Sequence, residues 1–310
     1  MKKNIQQLFD EYMYESEFVQ GLKPKTLQDY RQNFSTFLKL VPDLSLETLN
    51  PASILQFFKL LQERNRVIGK RLVSNGVKKS TILTYWRQFN CFFGWLKIKG
   101  YIKINPLKQL KKPTVSYESR QFLKKDEVEK ILTAIIVHAH TPFHLKRNLV
   151  IFYLLLFCGL RREELLQLQL RDIDIQKRML TIRAETSKTP KTRYVPLHSQ
   201  TILSLKDYLK ERTEYTTQYL IVSTNRDNRL SNNGLRHLTE TLILTSGVKF
   251  HVHQFRHTFA VNFLKSSGNV AKLQQLLGHK DASMTLQYVR CLPPHEIRSD
   301  IEIMRIDNLI

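Results

Sequence analysis

Between Arg64 and Tyr117 the chain carries 13 Lys or Arg and no Asp or Glu, yet apolar residues run through the same stretch at helical spacing. Ile82, Tyr85, Trp86, Phe89, Phe92, Phe93 and Leu96 recur as one face of a helix does. A basic tail without such a stripe stays disordered, whereas a stripe of this kind has to be covered by other elements. The segment therefore belongs to a folded helical domain whose outer surface carries one sign of charge. Solvated faces ordinarily mix both signs. A one-signed face suits a polyanion, because Lys and Arg that neutralise phosphates release condensed counterions. Lys70, Arg71, Lys78, Lys79, Arg87, Lys111 and Lys112 are the candidate DNA-backbone contacts of this region. A basic face kept only for solubility is the alternative.

The whole chain repeats the imbalance: 49 Lys plus Arg stand against 27 Asp plus Glu in 310 residues, a formal charge of +22. Residues 1–120 hold 21 basic and 9 acidic side chains, and residues 121–310 hold 28 and 18. With 42% hydrophobic residues, 17 Phe among them, there is apolar material for two cores. No apolar run approaches the roughly 20 residues of a membrane span. No apolar stretch follows Lys2 and Lys3, so no secretory signal is expected. Cys91, Cys158 and Cys291 are too few and too scattered for a disulfide framework or a zinc cage. Membrane, secreted and disordered classes are set aside, and a cytoplasmic protein with a polyanionic partner is expected.

The pattern predicts helices over 4–20, 24–40, 51–64 and 78–99, with Pro24 and Pro51 near helix starts, where a missing N–H costs nothing. Asn105-Pro106 ends the last of these. Three segments are expected: a helical domain over 1–107, a basic linker over 108–121 and a second domain over 122–310. In the second, helical periodicity (Leu123, Val128, Ile131, Leu132, Ile135) and the apolar run 149–158 precede two short strands, 179–184 and 192–197, joined by a hairpin loop. Helices follow near 201–212, 231–246, 254–266, 271–277 and 283–289, and an amphipathic segment over 294–306 closes the chain. The fold class is mainly α with a small antiparallel β-sheet in the second domain.

Five places in the second domain carry side chains suited to phosphate chemistry. In Gly159-Leu-Arg161-Arg162-Glu163-Glu164-Leu165 a helix-ending glycine is followed by an arginine at the first turn of the next helix, where free N–H groups favour an anion. Lys188 sits at the hairpin tip. His253 and Arg256 lie three residues apart on one helical face. His279 follows Gly278, and Tyr288 comes nine residues later. Singly, each has an ordinary reading: Arg161 paired with Glu163 or Glu164, Lys188 idle in solvent, His279 a cap, Tyr288 a core residue. His251, His253 and His257 suggest zinc, but no carboxylate or cysteine lies nearby, so no metal is expected.

In this order and spacing, G-L-R-x-x-E-L, a hairpin lysine followed by Arg193-Tyr-Val-Pro-Leu197, H-x-x-R-H-T, and Leu277-Gly-His-Lys-Asp-Ala-Ser-Met-Thr-Leu-Gln-Tyr288 resemble the tyrosine recombinase (phage integrase) family over essentially the whole chain. The two-domain layout is similar to Xer-type and mobile-element recombinases. The resemblance implies a core-binding domain and a catalytic domain that clamp double-stranded DNA at a specific site. It implies Tyr288 as the nucleophile forming a 3′-phosphotyrosyl bond and freeing a 5′-hydroxyl. Arg161 and Arg256 suit the phosphate oxygens because guanidinium forks bind them bidentately. His279 adds a donor, and His253 with the arginines would activate a phenol that, free, titrates near 10. Lys188 is the expected general acid. Glu164, by resemblance, buttresses an arginine. Neither ATP, metal nor another cofactor is expected, because the phosphotyrosine conserves the bond energy and cationic side chains supply the charge. Family members commonly pass the C-terminal helix, here 294–306 with Ile297, Ile301 and Met304, to a neighbour in a homo-tetramer on two duplexes. Accessory DNA-bending proteins are a further expected partner. Cys158 and Val252 depart from the commoner Thr and small residue or Pro. A type IB topoisomerase, a catalytically silent regulator and a metal nuclease are the alternatives.

Overall fold

Prolines at helix starts and a dense set of aromatic side chains decide the architecture of the first part. The computed structural model describes residues 3–68, 72–115, 122–186, 191–224 and 226–291, and the chain divides into two compact units, residues 1–117 and 118–310. The first unit is built from α1 (Ile5–Phe18), α2 (Pro24–Leu40), α3 (Pro51–Glu63), the strands β1 (Asn65–Ile68) and β2 (Leu72–Asn75), and α4 (Lys79–Ile98). Pro24 and Pro51 occupy first helical positions. Asn50 caps α3 reciprocally: its side-chain oxygen accepts from the Ser53 N–H at 3.0 Å, and Ser53 Oγ accepts from the Asn50 N–H at 3.1 Å.

All seven members of the α4 stripe are buried. Phe37, with no exposed surface, lies 4.7 Å between centroids from both Phe57 and Phe89, and Phe9 stacks on Phe34 at 3.8 Å. Trp95 is buried too, and its indole N–H donates to Glu15 at 3.0 Å. Packing the apolar face inward leaves Lys78, Lys79, Arg87, Lys111 and Lys112 exposed. Leu107 remains in this core, and Leu110 packs against it. Residues 116–121 of the expected linker lie outside the described residues.

The antiparallel strands are not confined to the second part, as the sequence pattern suggested. β1 and β2 form a hairpin in the first unit, with Asn65 opposite Asn75 and Ile68 opposite Leu72. In each strand the two apolar residues are adjacent (Val67-Ile68 and Leu72-Val73) rather than alternating, which is why no pattern announces them. Gly76 leaves the hairpin at φ +69°, and a Cβ there would lie 2.3 Å from the Gln62 carbonyl oxygen. Lys70 and Arg71 lie outside the described residues.

The second unit runs α5 (Lys125–Val137), α6 (Pro142–Cys158), α7 (Arg162–Leu166), β3 (Ile173–Asp174), β4 (Met179–Ile182), β5 (Arg193–Pro196), α8 (Ser199–Glu211), α9 (Asn232–Ser246), α10 (Val252–Ser267), α11 (Val270–Leu277) and α12 (Ser283–Val289). The strands form an antiparallel sheet in the order β3-β4-β5, with Ile173 opposite Leu180 and Leu180 opposite Val195. The apolar helix α6 lies inside the unit, with α8 and α10 packed on it. Strand alternation buries Leu180, Ile182 and Val195 and exposes Tyr194; Arg193 falls on the buried side. A smaller core of Ala260, Val261, Leu264, Leu273, Leu277 and Tyr288 joins α10, α11 and α12. Lys188 and the helix expected over 294–306 lie outside the described residues.

Phe37→Ala is expected to lower unfolding stability by about 3–5 kcal/mol, because it leaves a cavity among three aromatic side chains. Arg87→Ala, at an exposed position, should change it by less than about 0.5 kcal/mol. Urea unfolding of both variants checks the contrast.

Candidate active site

Helix α11 ends at Gly278, which takes the left-handed conformation at φ +62°. That turn leaves the last carbonyls of the helix without intrahelical partners and gathers the negative end of its dipole. Three successive carbonyls are met there by three different arginines. Arg193 Nε donates to Leu276 at 2.8 Å, Arg256 Nη2 to Leu277 at 2.6 Å, and Arg161 Nη2 to Gly278 at 3.4 Å. Arg256 also donates from Nη1 to the Gly159 carbonyl at 2.7 Å, tying the end of α6 to the end of α11. Gly159 has to be glycine: its φ is +58°, and a Cβ would lie 2.4 Å from the Phe259 ring.

One carboxylate balances these cations. Glu164, 1% exposed, receives Arg193 bidentately (Nη1 to Oε1 at 2.9 Å, Nη2 to Oε2 at 2.7 Å). It also accepts from Arg161 Nη1 at 2.8 Å and from the Arg161 backbone N–H at 2.9 Å. Burial alone would raise the Glu164 carboxyl, but the two arginines and the backbone donor hold it down at about 2. Burial pushes the Arg256 guanidinium down to about 9, and the like charge of Arg161 adds to the fall. Three guanidinium groups around one carboxylate leave a surplus of positive charge, which is the electrostatic condition for a phosphate. Arg161 keeps 17% of its side chain exposed, whereas Arg256 is 1% exposed and donates to two carbonyls and to His279.

The histidines and the tyrosine form a second layer. Arginine can only donate, so His279 Nε2, 3.1 Å from Arg256 Nη2, accepts; its Nδ1 then carries the proton and donates to Thr285 Oγ1 at 2.8 Å. Tyr288 has no exposed surface. Its ring lies parallel to His279, 6.2 Å between centroids, and its hydroxyl is 3.0 Å from Nδ1 of His257. His253 is exposed and meets the His257 ring edge-on at 4.5 Å.

The structure thus brings Arg161, Arg256, His279 and Tyr288 together around the end of α11, with His253 one helical turn from His257. Lys188 lies outside the described residues. Sequence reasoning missed the parts played by Arg193 and His257. For Arg193 a signal existed: in Arg193-Tyr-Val-Pro it shares the inward face with Val195, and a charge on that face needs a buried partner. His257 enters the sequence reading as a member of the H-x-x-R-H-T motif and a candidate zinc ligand, with no role of its own. Among the described residues no three His, Cys, Asp or Glu side chains gather as a metal site. Cys158, next to Gly159, is buried and its thiol is pushed up to about 12 by burial, so it is an inert core side chain.

Comparison with known proteins places this geometry. Residues 121–294 match the phage integrase family. Tyrosine recombinase XerC of Oceanobacillus iheyensis is 27% identical over 299 residues, covering 93% of this chain and 91% of that protein. Tyrosine recombinase XerA of Pyrococcus furiosus is 30% identical over 219 residues, covering 69% and 73%. The fold is similar to that of the Tn1549 transposon integrase in complex with circular intermediate DNA (TM-score 0.76, 16% identity, 97% of this chain and 99% of that one). It is also similar to that of a lambda integrase tetramer bound to a Holliday junction (TM-score 0.71, 22% identity, 92% and 77%).

Glu164→Gln keeps the size of the side chain and removes its charge. It is expected to cost about 3–5 kcal/mol at neutral pH, because it leaves buried guanidinium charge uncompensated. The folded carboxyl titrates near 2 against an ordinary 4.5, so the stability it contributes is present above that ordinary value and lost as pH falls toward 2. Unfolding curves of both proteins across this range should show the gap narrowing in acid.

Proposed function

This chain belongs to the phage integrase family and is a tyrosine recombinase, and we propose that it cuts and rejoins DNA at a fixed site through Tyr288. The observation that carries the reading is the surplus of guanidinium charge at the end of α11, beside a buried tyrosine that shares its core. In this reading the scissile phosphate is drawn to Arg161, the more exposed of the two arginines, and competes with protein carbonyls for Arg256. His253 and His279 complete the cradle. A phosphate oxygen that takes over Arg256 Nη2 frees the Nε2 of His279 to act as a donor once that ring binds a second proton. Tyr288 Oη attacks phosphorus, the bond to the 5′-oxygen breaks, and Lys188 supplies the proton to that leaving oxygen. The 5′-hydroxyl of another strand reverses the step, so the phosphodiester is conserved without nucleotide hydrolysis.

The exposed cations Lys78, Lys79, Arg87, Lys111 and Lys112 on the first unit serve the backbone of the duplex in this scheme, and residues 1–107 act as a core-binding domain. We further propose a homo-tetramer on two duplexes. The second unit carries an apolar groove of about 970 Å³ lined by Phe122, Leu156, Phe157, Phe259, Phe263 and Leu276 among others. It offers a seat for the stripe Ile297, Ile301 and Met304 of a neighbouring copy. The proposed setting is the cytoplasm of a bacterium, with chromosomal, plasmid or other mobile DNA as substrate and accessory DNA-bending proteins as further partners. No helix among the described residues is long and apolar enough to cross a membrane.

Incubation with a nicked duplex carrying its site, without metal or ATP, should yield an SDS-stable protein–DNA adduct that disappears in Tyr288→Phe. An unchanged adduct in that variant removes the assignment. Replacing Lys78, Lys79 and Arg87 by Ala should weaken binding and flatten its salt dependence, lowering the log–log slope by roughly 1 for each phosphate that is no longer neutralised.

A further inference from the structure

We propose that His257 is the general base of cleavage, the group that takes the phenolic proton of Tyr288. This rests on the reading of Tyr288 as the nucleophile and adds a residue to it. His257 Nδ1 lies 3.0 Å from Tyr288 Oη, within the reach a proton acceptor needs. For Nδ1 to accept, the neutral ring carries its own proton on Nε2, and the phenol hydrogen points at the imidazole. Tyr288 has no exposed surface, so bulk water does not reach Oη and the proton has to leave through a protein group.

The other imidazole beside the phenol is not suited to the task. His279 lies parallel to the Tyr288 ring, but its Nε2 accepts from Arg256 and its Nδ1 donates to Thr285. His253, which the sequence pattern favours, is exposed and meets the His257 ring instead. The placement follows from helix geometry. Arg256 and His257 are consecutive on α10, so their side chains diverge by about 100°. The guanidinium faces the ends of α6 and α11, and the imidazole faces α12. Among the described residues, His257 meets His253 on its own helix and Tyr288 on α12, with His279 across the phenol ring and Arg256 adjacent in the chain.

The step balances without a co-reactant. The Oη–H bond breaks and its proton passes to Nδ1, giving an imidazolium; the Oη–P bond forms as the P–O5′ bond breaks, and the 5′-oxygen is protonated by the general acid. On rejoining, the imidazolium returns its proton to Oη as the 5′-hydroxyl attacks. The movement this requires is one that uncovers Oη to phosphorus while His257 and Tyr288 remain paired. Because only the neutral ring accepts, cleavage slows in acid as the imidazole protonates.

The test is single-turnover cleavage of the nicked duplex by full-length protein across pH, at saturating enzyme so that affinity drops out. His257→Asn sets an amide at the Nδ1 position, retaining a hydrogen bond to Oη without a titrating group. It is expected to bind the duplex as the wild type does, to cleave at least about 100-fold more slowly, and to lose the acid limb. His253→Asn keeps that limb. A 5′-bridging phosphorothiolate duplex, whose leaving sulfur needs no acid, should leave the wild-type acid limb in place and His257→Asn slow. Wild-type rate and limb in His257→Asn, with Tyr288→Phe inert, overturn the role of His257 and leave Tyr288 standing. An adduct in Tyr288→Phe overturns the nucleophile itself. If His257→Asn does not fold, the wild-type phosphorothiolate profile decides: a profile without an acid limb overturns the proposal.

Discussion

The carboxylate of Glu164, 1% exposed between two guanidinium groups, is the contact on which the site is assembled. It holds Arg161 at the start of α7 and Arg193 on the inner face of β5, and both arginines then reach the end of α11. Helix α7, the sheet and the α11 turn are thereby referred to one oxygen pair. Such a buried charge is costly to bring out of water and is tolerated only with its lone pairs filled. Here they are, by Arg193, Arg161 and a backbone N–H. The result is a rigid floor of arginines whose net charge is positive, the preorganised field that phosphoryl transfer needs.

Against that floor the proposed nucleophile is withdrawn. Tyr288 belongs to the core shared by α10, α11 and α12, and its hydroxyl is bonded to His257 rather than turned to solvent. In the free chain the cationic cradle and the phenol are therefore near neighbours in distinct environments, one partly open at Arg161 and the other closed. DNA that enters the cradle has to uncover Oη, so binding and uncovering are linked in the proposed reaction. In the proposed reaction the exposed cations of the first unit supply the binding part of this linkage.

Much of this was legible in the residues. The α4 stripe, the proline-started helices, the strands around 179–197 and the helix over Ser283–Val289 all follow from period and punctuation. Arg161, Arg256, His279 and Tyr288 stand out by their spacing, and they do lie together. The hairpin Asn65–Asn75 was not legible, since the apolar residues of its strands are adjacent rather than alternating. Arg193 was overlooked although strand alternation turned it inward. His257 could not be told from His253 by type or spacing; only the packing of α12 on α10 decides which imidazole meets the phenol.

The most direct test of the central claim is where the DNA becomes attached. Trypsin releases Asp281–Arg290, in which Tyr288 is the single tyrosine. Mass spectrometry of the nuclease-trimmed adduct should find this peptide carrying a 3′-linked nucleotide on Tyr288. Attachment at any other tyrosine, or at a residue of another type, would contradict the account.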